Sequence, residues 1–181
     1  MKYIIVDLEA TCWEKVDDPQ RKEIIEIGAT ILRTPELKIG EEFNSFVKPV
    51  DEPFLSDFCK NLTSIRQKDI DSAPEFPVIF ERFLEWIGTE PYLLCSWGYF
   101  DLYQFKIDCL RHSVPFPEDF LRHINLKQEF ASLYNVERCG MQAALQRLRI
   151  KPTGTHHRAI DDVRNISAIA RIILPKINAK D

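Results

Sequence analysis

The sequence predicts an α/β fold, with helices laid on the faces of a mixed sheet. Three observations carry that expectation. Strand-like runs come first, in succession. Strand-like and helix-like runs then alternate. The chain is 181 residues long, 45% apolar and 29% charged, which suits one globular domain covering residues 1–181. Strands in succession favour antiparallel neighbours and alternation favours parallel ones, so both directions are expected in one sheet.

Tyr3 to Leu8, rich in Ile and Val, reads as the first strand, Ile24 to Leu32 as the second and Glu42 to Val47 as the third. Thr34-Pro35-Glu36 and the nearby Gly40 read as the hairpin loop between the last two. The segment from Pro53 to Ile70 is polar and punctuated, with short helical turns. Phe76, Ile79, Phe80, Phe83, Leu84 and Ile87 recur at steps of three and four, the spacing of a helix buried on one side. Tyr92 to Ser96 is a short strand and Asp101 to His112 a helix. His123 to Leu126 is a further short strand, and Met141 to Leu148 a helix. Ala159 to Ile173 is a longer helix with Val163, Ile166, Ala170 and Ile173 on one stripe, and Pro175 is expected to end it.

Composition narrows the function. Lys and Arg number 24 against 28 Asp and Glu, a formal net charge of −4, which disfavours a protein held on nucleic acid by bulk positive charge. It leaves room for an enzyme that uses acids locally. Cys12, Cys59, Cys95, Cys109 and Cys139 are dispersed, with no CxxC pair, so buried reduced thiols are expected. The first apolar run is broken by Asp7, and no run approaches the roughly 18 apolar residues of a membrane span. The expectation is a soluble, cytoplasmic protein with no membrane contact.

Three clusters can carry chemistry. In Asp7-Leu8-Glu9 the two acids are two residues apart on a strand and share one face. Carboxylates that close repel unless a cation intervenes, and such hard oxygen donors suit Mg²⁺ or Mn²⁺. A solvated strand end satisfies the same spacing. Asp101 follows the strand at Tyr92 to Ser96, at the carboxyl end where α/β proteins place ligands, or else caps the following helix. His156-His157-Arg158-Ala159-Ile160-Asp161-Asp162 opens the last long helix, where acids also complement the helix dipole. Five helical residues turn through about 500°, so His157 and Asp162 can meet only if His157 stands in the loop before the helix.

In their order, Asp-x-Glu on an early strand, Asp after a middle strand and His-x4-Asp on a late helix, these clusters resemble the three motifs of the DEDDh family of 3′–5′ exonucleases. Here the motif residues are Asp7, Glu9, Asp101, His157 and Asp162. The sister branch with tyrosine would need Tyr at position 158, which is Arg158. Further segments resemble the enhanced-RNAi type branch, which includes nucleases that trim histone mRNA and small RNAs: Asp7 to Cys12, Glu23 to Ala29, Leu55 to Cys59, Leu62-Thr63 with Ile65 and Gln67, and Ile124 to Lys127. The likeness runs from Tyr3 to about Ile173.

The resemblance implies an RNase H-like fold with a mixed five-stranded sheet flanked by helices. It implies hydrolysis of phosphodiester bonds at single-stranded 3′ ends, RNA before DNA, with release of nucleoside 5′-monophosphates. Asp7, Glu9, Asp101 and Asp162 would hold two divalent cations, Mg²⁺ or Mn²⁺, and His157 would act as general base, His156 being the competing assignment. Leu8, Ala10 and Thr11 would line the terminal sugar, and Leu62, Thr63 and Ile65 would meet the terminal base. Phe100 would stack on a base or else pack in the core. Two other enzyme readings, a DNA-directed proofreading nuclease and a small-molecule metallohydrolase, use the same acids, and a regulatory protein on a nuclease fold would retain them without need.

Overall fold

The computed structural model describes residues 1–178. The sheet has five strands: β1 Lys2–Ala10, β2 Ile24–Arg33, β3 Lys38–Phe46, β4 Tyr92–Ser96 and β5 His123–Asn125, in the order β3-β2-β1-β4-β5. β1–β2 and β2–β3 pair antiparallel, while β1–β4 and β4–β5 pair parallel. The helices are α1 Asp57–Thr63, α2 Gln67–Asp71, α3 Phe76–Ile87, α4 Phe100–Arg111, α5 Leu126–Tyr134, α6 Met141–Arg147 and α7 Ala159–Asn178, with a 3-10 turn at Glu118–Leu121.

The two faces of β1 sort its side chains by parity. Ile4, Val6 and Leu8 point into a core shared with Ile79, Phe80 and Phe83 of α3 and Phe105 of α4. Tyr3 and Ile5 point into the opposite core, with Phe130, Leu145, Val163, Ile166 and Ile169 from α5, α6 and α7. With helices on both sides, β1 and β2 are buried almost throughout, so their apolar residues fall on both faces instead of alternating with polar ones. Asp7 and Glu9 continue the Tyr3–Ile5 face, and that parity aims both acids at α7.

The structure departs from the sequence expectations in four places. Gly40 lies inside β3, opposite the register irregularity between Thr30 and Leu32, where a Cβ would stand 3.1 Å from the Ile31 carbonyl oxygen. Pro175 does not end α7, which runs on to Asn178. Leu174 is fully buried and Ile177 packs on the same core, and these contacts hold the last turn although proline offers no N–H. The strand at His123 stops at Asn125, whose side chain accepts the Gln128 N–H and starts α5, a helix the sequence reading did not assign. Asp101 does not cap α4, since Tyr99 occupies that position and Asp101 lies in the first turn.

Candidate active site

Asp7, Glu9, Asp101, His156, His157 and Asp162 line one cleft of about 490 Å³, together with Leu8, Trp97, Phe100 and the Gly140-Met141-Gln142 start of α6. One oxygen each from Asp7, Glu9 and Asp162 lies within 4.8 Å of the others. Asp101 reaches the same place from α4, its Oδ1 accepting the Leu8 N–H at 3.0 Å. That bond ties α4 to the strand residue between the two β1 acids. Four carboxyl groups from β1, α4 and α7 therefore converge.

The packing of α7 on the sheet sets this geometry. Asp7 pairs with Gly28 and Glu9 with Glu26 across β1 and β2. At Gly28 a Cβ would come within 2.4 Å of the Ala159 carbonyl carbon, so only glycine lets the start of α7 sit directly on β2. Glu26, fully buried, accepts the Ala159 N–H at 3.1 Å and two bonds from Arg158, at 3.1 and 2.9 Å. The Glu26–Arg158 pair fastens the turn that carries His157. Arg158 thereby gives buried Glu26, which faces Glu9 across the two strands, a positive partner.

His157 stands in that turn with φ 62°, a left-handed backbone rare for a non-glycine residue. Its N–H donates to Asp162 Oδ2 at 3.0 Å, while His156 Nδ1 lies 3.1 Å from both oxygens of Asp162. The two imidazoles stack at 3.9 Å. Thr155 N–H donates to Asp161, and Arg164 bonds both Asp161 and Glu42, so Asp161 holds the loop and lies outside the cleft lining.

The electrostatics are those of an acidic cluster short of positive charge. Burial and then Asp101, Glu9 and Asp162 push the Asp7 carboxyl well above the usual range. Glu9 is pushed up to about 9, by burial first and by Asp162 and Glu26 next. Burial lifts Asp101 to about 6, opposed by bonds from Ser96 and the Leu8 amide and by the Lys127 charge. Burial and the neighbouring His156 lower His157, keeping its imidazole neutral near pH 7. The close carboxylate oxygens and their mutual repulsion fit hard divalent cations.

The other sequence-predicted contacts divide. Leu8 and Phe100 line the cleft, Phe100 being 42% exposed and thus outside the core. Ala10, Thr11, Leu62, Thr63 and Ile65 lie outside its lining. Thr11 is buried and accepts the Glu23 N–H; Thr63 is buried and bonds Cys59 and Ile65; Ile65 is core; Leu62 is exposed. The sequence reading missed the Gly140-Met141-Gln142 wall, because no local pattern joins α6 to the motif residues. Trp97 lines the cleft while its Nε1–H donates to the Cys139 carbonyl.

Residues 4–170 match the exonuclease family RNase_T. ERI1 exoribonuclease 2 of Danio rerio is 34% identical over 190 residues, which is 93% of this chain and 34% of that protein. The 3′-5′ exoribonuclease 1 of Homo sapiens is 33% identical over 175 residues, 92% of this chain and 50% of that protein. The chain thus spans between about a third and a half of these curated relatives. The crystal structure of the nuclease domain of 3′hExo, a DEDDh family member bound to rAMP, superposes with a TM-score of 0.90 at 31% identity, covering 97% of this chain and 92% of that one. This chain belongs to the RNase_T exonuclease family, within its DEDDh group.

Proposed function

We propose that this chain is a metal-dependent 3′–5′ exonuclease that removes nucleotides from single-stranded 3′ ends of RNA and releases nucleoside 5′-monophosphates. The observation that carries the reading is the convergence of Asp7, Glu9, Asp101 and Asp162 on one cleft with His157 in its wall. When bound there, two divalent cations, Mg²⁺ or Mn²⁺, supply the positive charge that offsets the carboxylates and the charge developing on the attacked phosphate. Asp7, Glu9, Asp101 and Asp162 hold them. His157, neutral near pH 7, takes a proton from the attacking water as its oxygen bonds to phosphorus. The bond from phosphorus to the 3′-oxygen breaks, and that oxygen gains a proton to become the new terminal 3′-hydroxyl. Leu8 and Phe100 meet the terminal nucleotide, with Leu62 at the outer rim of its base. Ala10, Thr63 and Ile65 contribute through packing around Cys59, whose thiol reaches the Ala10 carbonyl at the end of β1, and Thr11 through its bond from the Glu23 amide.

The names of the relatives, exoribonucleases among them, support RNA over DNA. Labelled single-stranded RNA and DNA of equal length, with Mg²⁺ or Mn²⁺, test the reading beside Asp7→Ala. Stepwise 3′ shortening, faster on RNA and absent in the variant, is expected. Faster shortening of DNA would move the reading to a proofreading-type enzyme, and no shortening of either would overturn it.

A further inference from the structure

We infer that the outward face of α4, next to the cleft, is a second nucleobase subsite, which takes the base preceding the 3′-terminal nucleotide of a single-stranded substrate. This rests on the exonuclease reading and adds a specificity element to it. α4 sends Phe105 and Cys109 into the core. Phe100, Tyr103, Ile107 and Leu110, at steps of three and four, form another stripe on the same helix. That stripe stays in solvent, with Phe100 42%, Tyr103 58% and Leu110 79% exposed. Exposed aromatic surface on one helix face marks a site of contact.

The stripe is one wall of a cavity of about 430 Å³, closed on its other side by Pro19 and Gln20. Phe100 lines both this cavity and the carboxylate cleft, so the two are continuous through one ring. Tyr99 lies 5.9 Å from Tyr103, ring to ring, and extends the aromatic surface. The occupant follows from the charge around it. The lining carries Lys106 and no acidic side chain. Lys22 Nζ stands 5.6 Å from the centre of the Phe100 ring, and Arg21 lies 4.2 Å over Trp13 on the same loop. Lys22 also pairs with the exposed Asp17 at 2.6 Å, a solvent-screened contact that a phosphate can compete with. In a chain of net charge −4, aromatic rings flanked by cations beside the carboxylate cleft suit a base and its phosphate.

Tyr103→Ser tests this, since the side chain is largely exposed and its loss leaves the core intact. Two substrates are compared with Mn²⁺. One is the p-nitrophenyl ester of a nucleoside 5′-monophosphate, which offers nothing upstream. The other is a labelled oligoribonucleotide, with and without an abasic residue at the penultimate position. The variant is expected to raise KM for the intact oligomer about tenfold and to leave ester hydrolysis within about twofold. On the abasic oligomer wild type and variant should be equal, because the base whose contact is lost is already missing. Equal losses on ester and oligomer, or an unchanged KM on the oligomer, would overturn the subsite. Should the wild type cleave neither substrate, the exonuclease reading fails. Fluorescence anisotropy of the labelled oligomer in Ca²⁺ then decides the subsite separately: the variant must bind about tenfold more weakly than wild type, and equal binding overturns it.

Discussion

Asp7 shows at the residue scale how function and stability oppose each other in this chain. Its carboxyl is raised by burial and by four neighbouring acids, Asp101, Glu9, Asp162 and Glu26, so it destabilises the metal-free fold that it equips for cation binding. Asp7→Asn is therefore expected to raise the melting temperature of protein stripped with a chelator. The same change should cut exonuclease rate more than about a hundredfold, since losing even an indirect partner of a metal ligand costs 10–100-fold. A lower melting temperature in the stripped variant would refute the repulsion argument. The two histidines separate in the same way. His157 sits on a left-handed backbone held by Asp162, whereas the His156 ring leans on that carboxylate. His157→Gln is expected to lower kcat by about 10²–10⁴-fold and His156→Gln by less than about tenfold, and the reverse order in single-turnover rates would exchange their roles. The Asp7–Glu9 face was legible in the sequence because a two-residue period is a local property. The placement of Asp101 was legible only through the family resemblance, because a helix cap and a cleft ligand share one sequence position, and the bond from the amide of Leu8, 93 residues away in sequence, is what distinguishes them in the structure.

At the scale of elements, the seat of α7 on β2 positions half of the cleft. Gly28→Ala places a methyl group where the Ala159 backbone already stands, and overpacking of this kind costs about 1–3 kcal/mol or more. Chemical denaturation should register that loss, and kcat should fall as the His157 turn shifts. β5 gives a pH-dependent counterpart. His123 Nε2 lies 2.9 Å from Ser96 Oγ, its Nδ1 is buried without a partner, and burial lowers its pKa to about 4. The folded chain keeps this imidazole neutral while the unfolded chain protonates it near 6.5, so its stabilising contribution is whole above about 6.5 and fades as pH falls towards 4. Discounted for its partly exposed surface, that is of order 1–2 kcal/mol. Wild type should therefore lose more stability than His123→Asn between pH 7 and pH 5, a difference that cancels the opposite contribution of the raised cleft acids. Strands and long helices were legible from their periods. α5 was not, because Asn125 ends a strand and caps a helix at one residue, and neither was the end of α7, where buried Leu174 outweighs the local effect of Pro175.

For the whole molecule, the decisive property is where charge lies, not its sum. The formal charge of −4 is that of an ordinary acidic protein, yet four acids from three distant segments share one cleft while Lys22, Lys106 and Arg21 gather beside it. The mixed topology was legible because strand succession and alternation are visible along the chain. The convergence was legible only through the family motif, since no period in the sequence relates residue 7 to residue 101 or 162. Divalent cations binding the folded cleft and not the unfolded chain stabilise the fold by mass action, about 2.7 kcal/mol at a hundred times Kd. For a chain of this size that raises the melting temperature by roughly 5–10 °C. Chelator-stripped protein titrated with Mn²⁺ in a thermal scan should show this shift, and Asp7→Asn should lose most of it. Cations that bound only scattered surface acids would shift both proteins alike, because the variant keeps every exposed carboxylate. A shift that survives in Asp7→Asn therefore places the cations elsewhere and removes the charge balance on which the proposed hydrolysis depends.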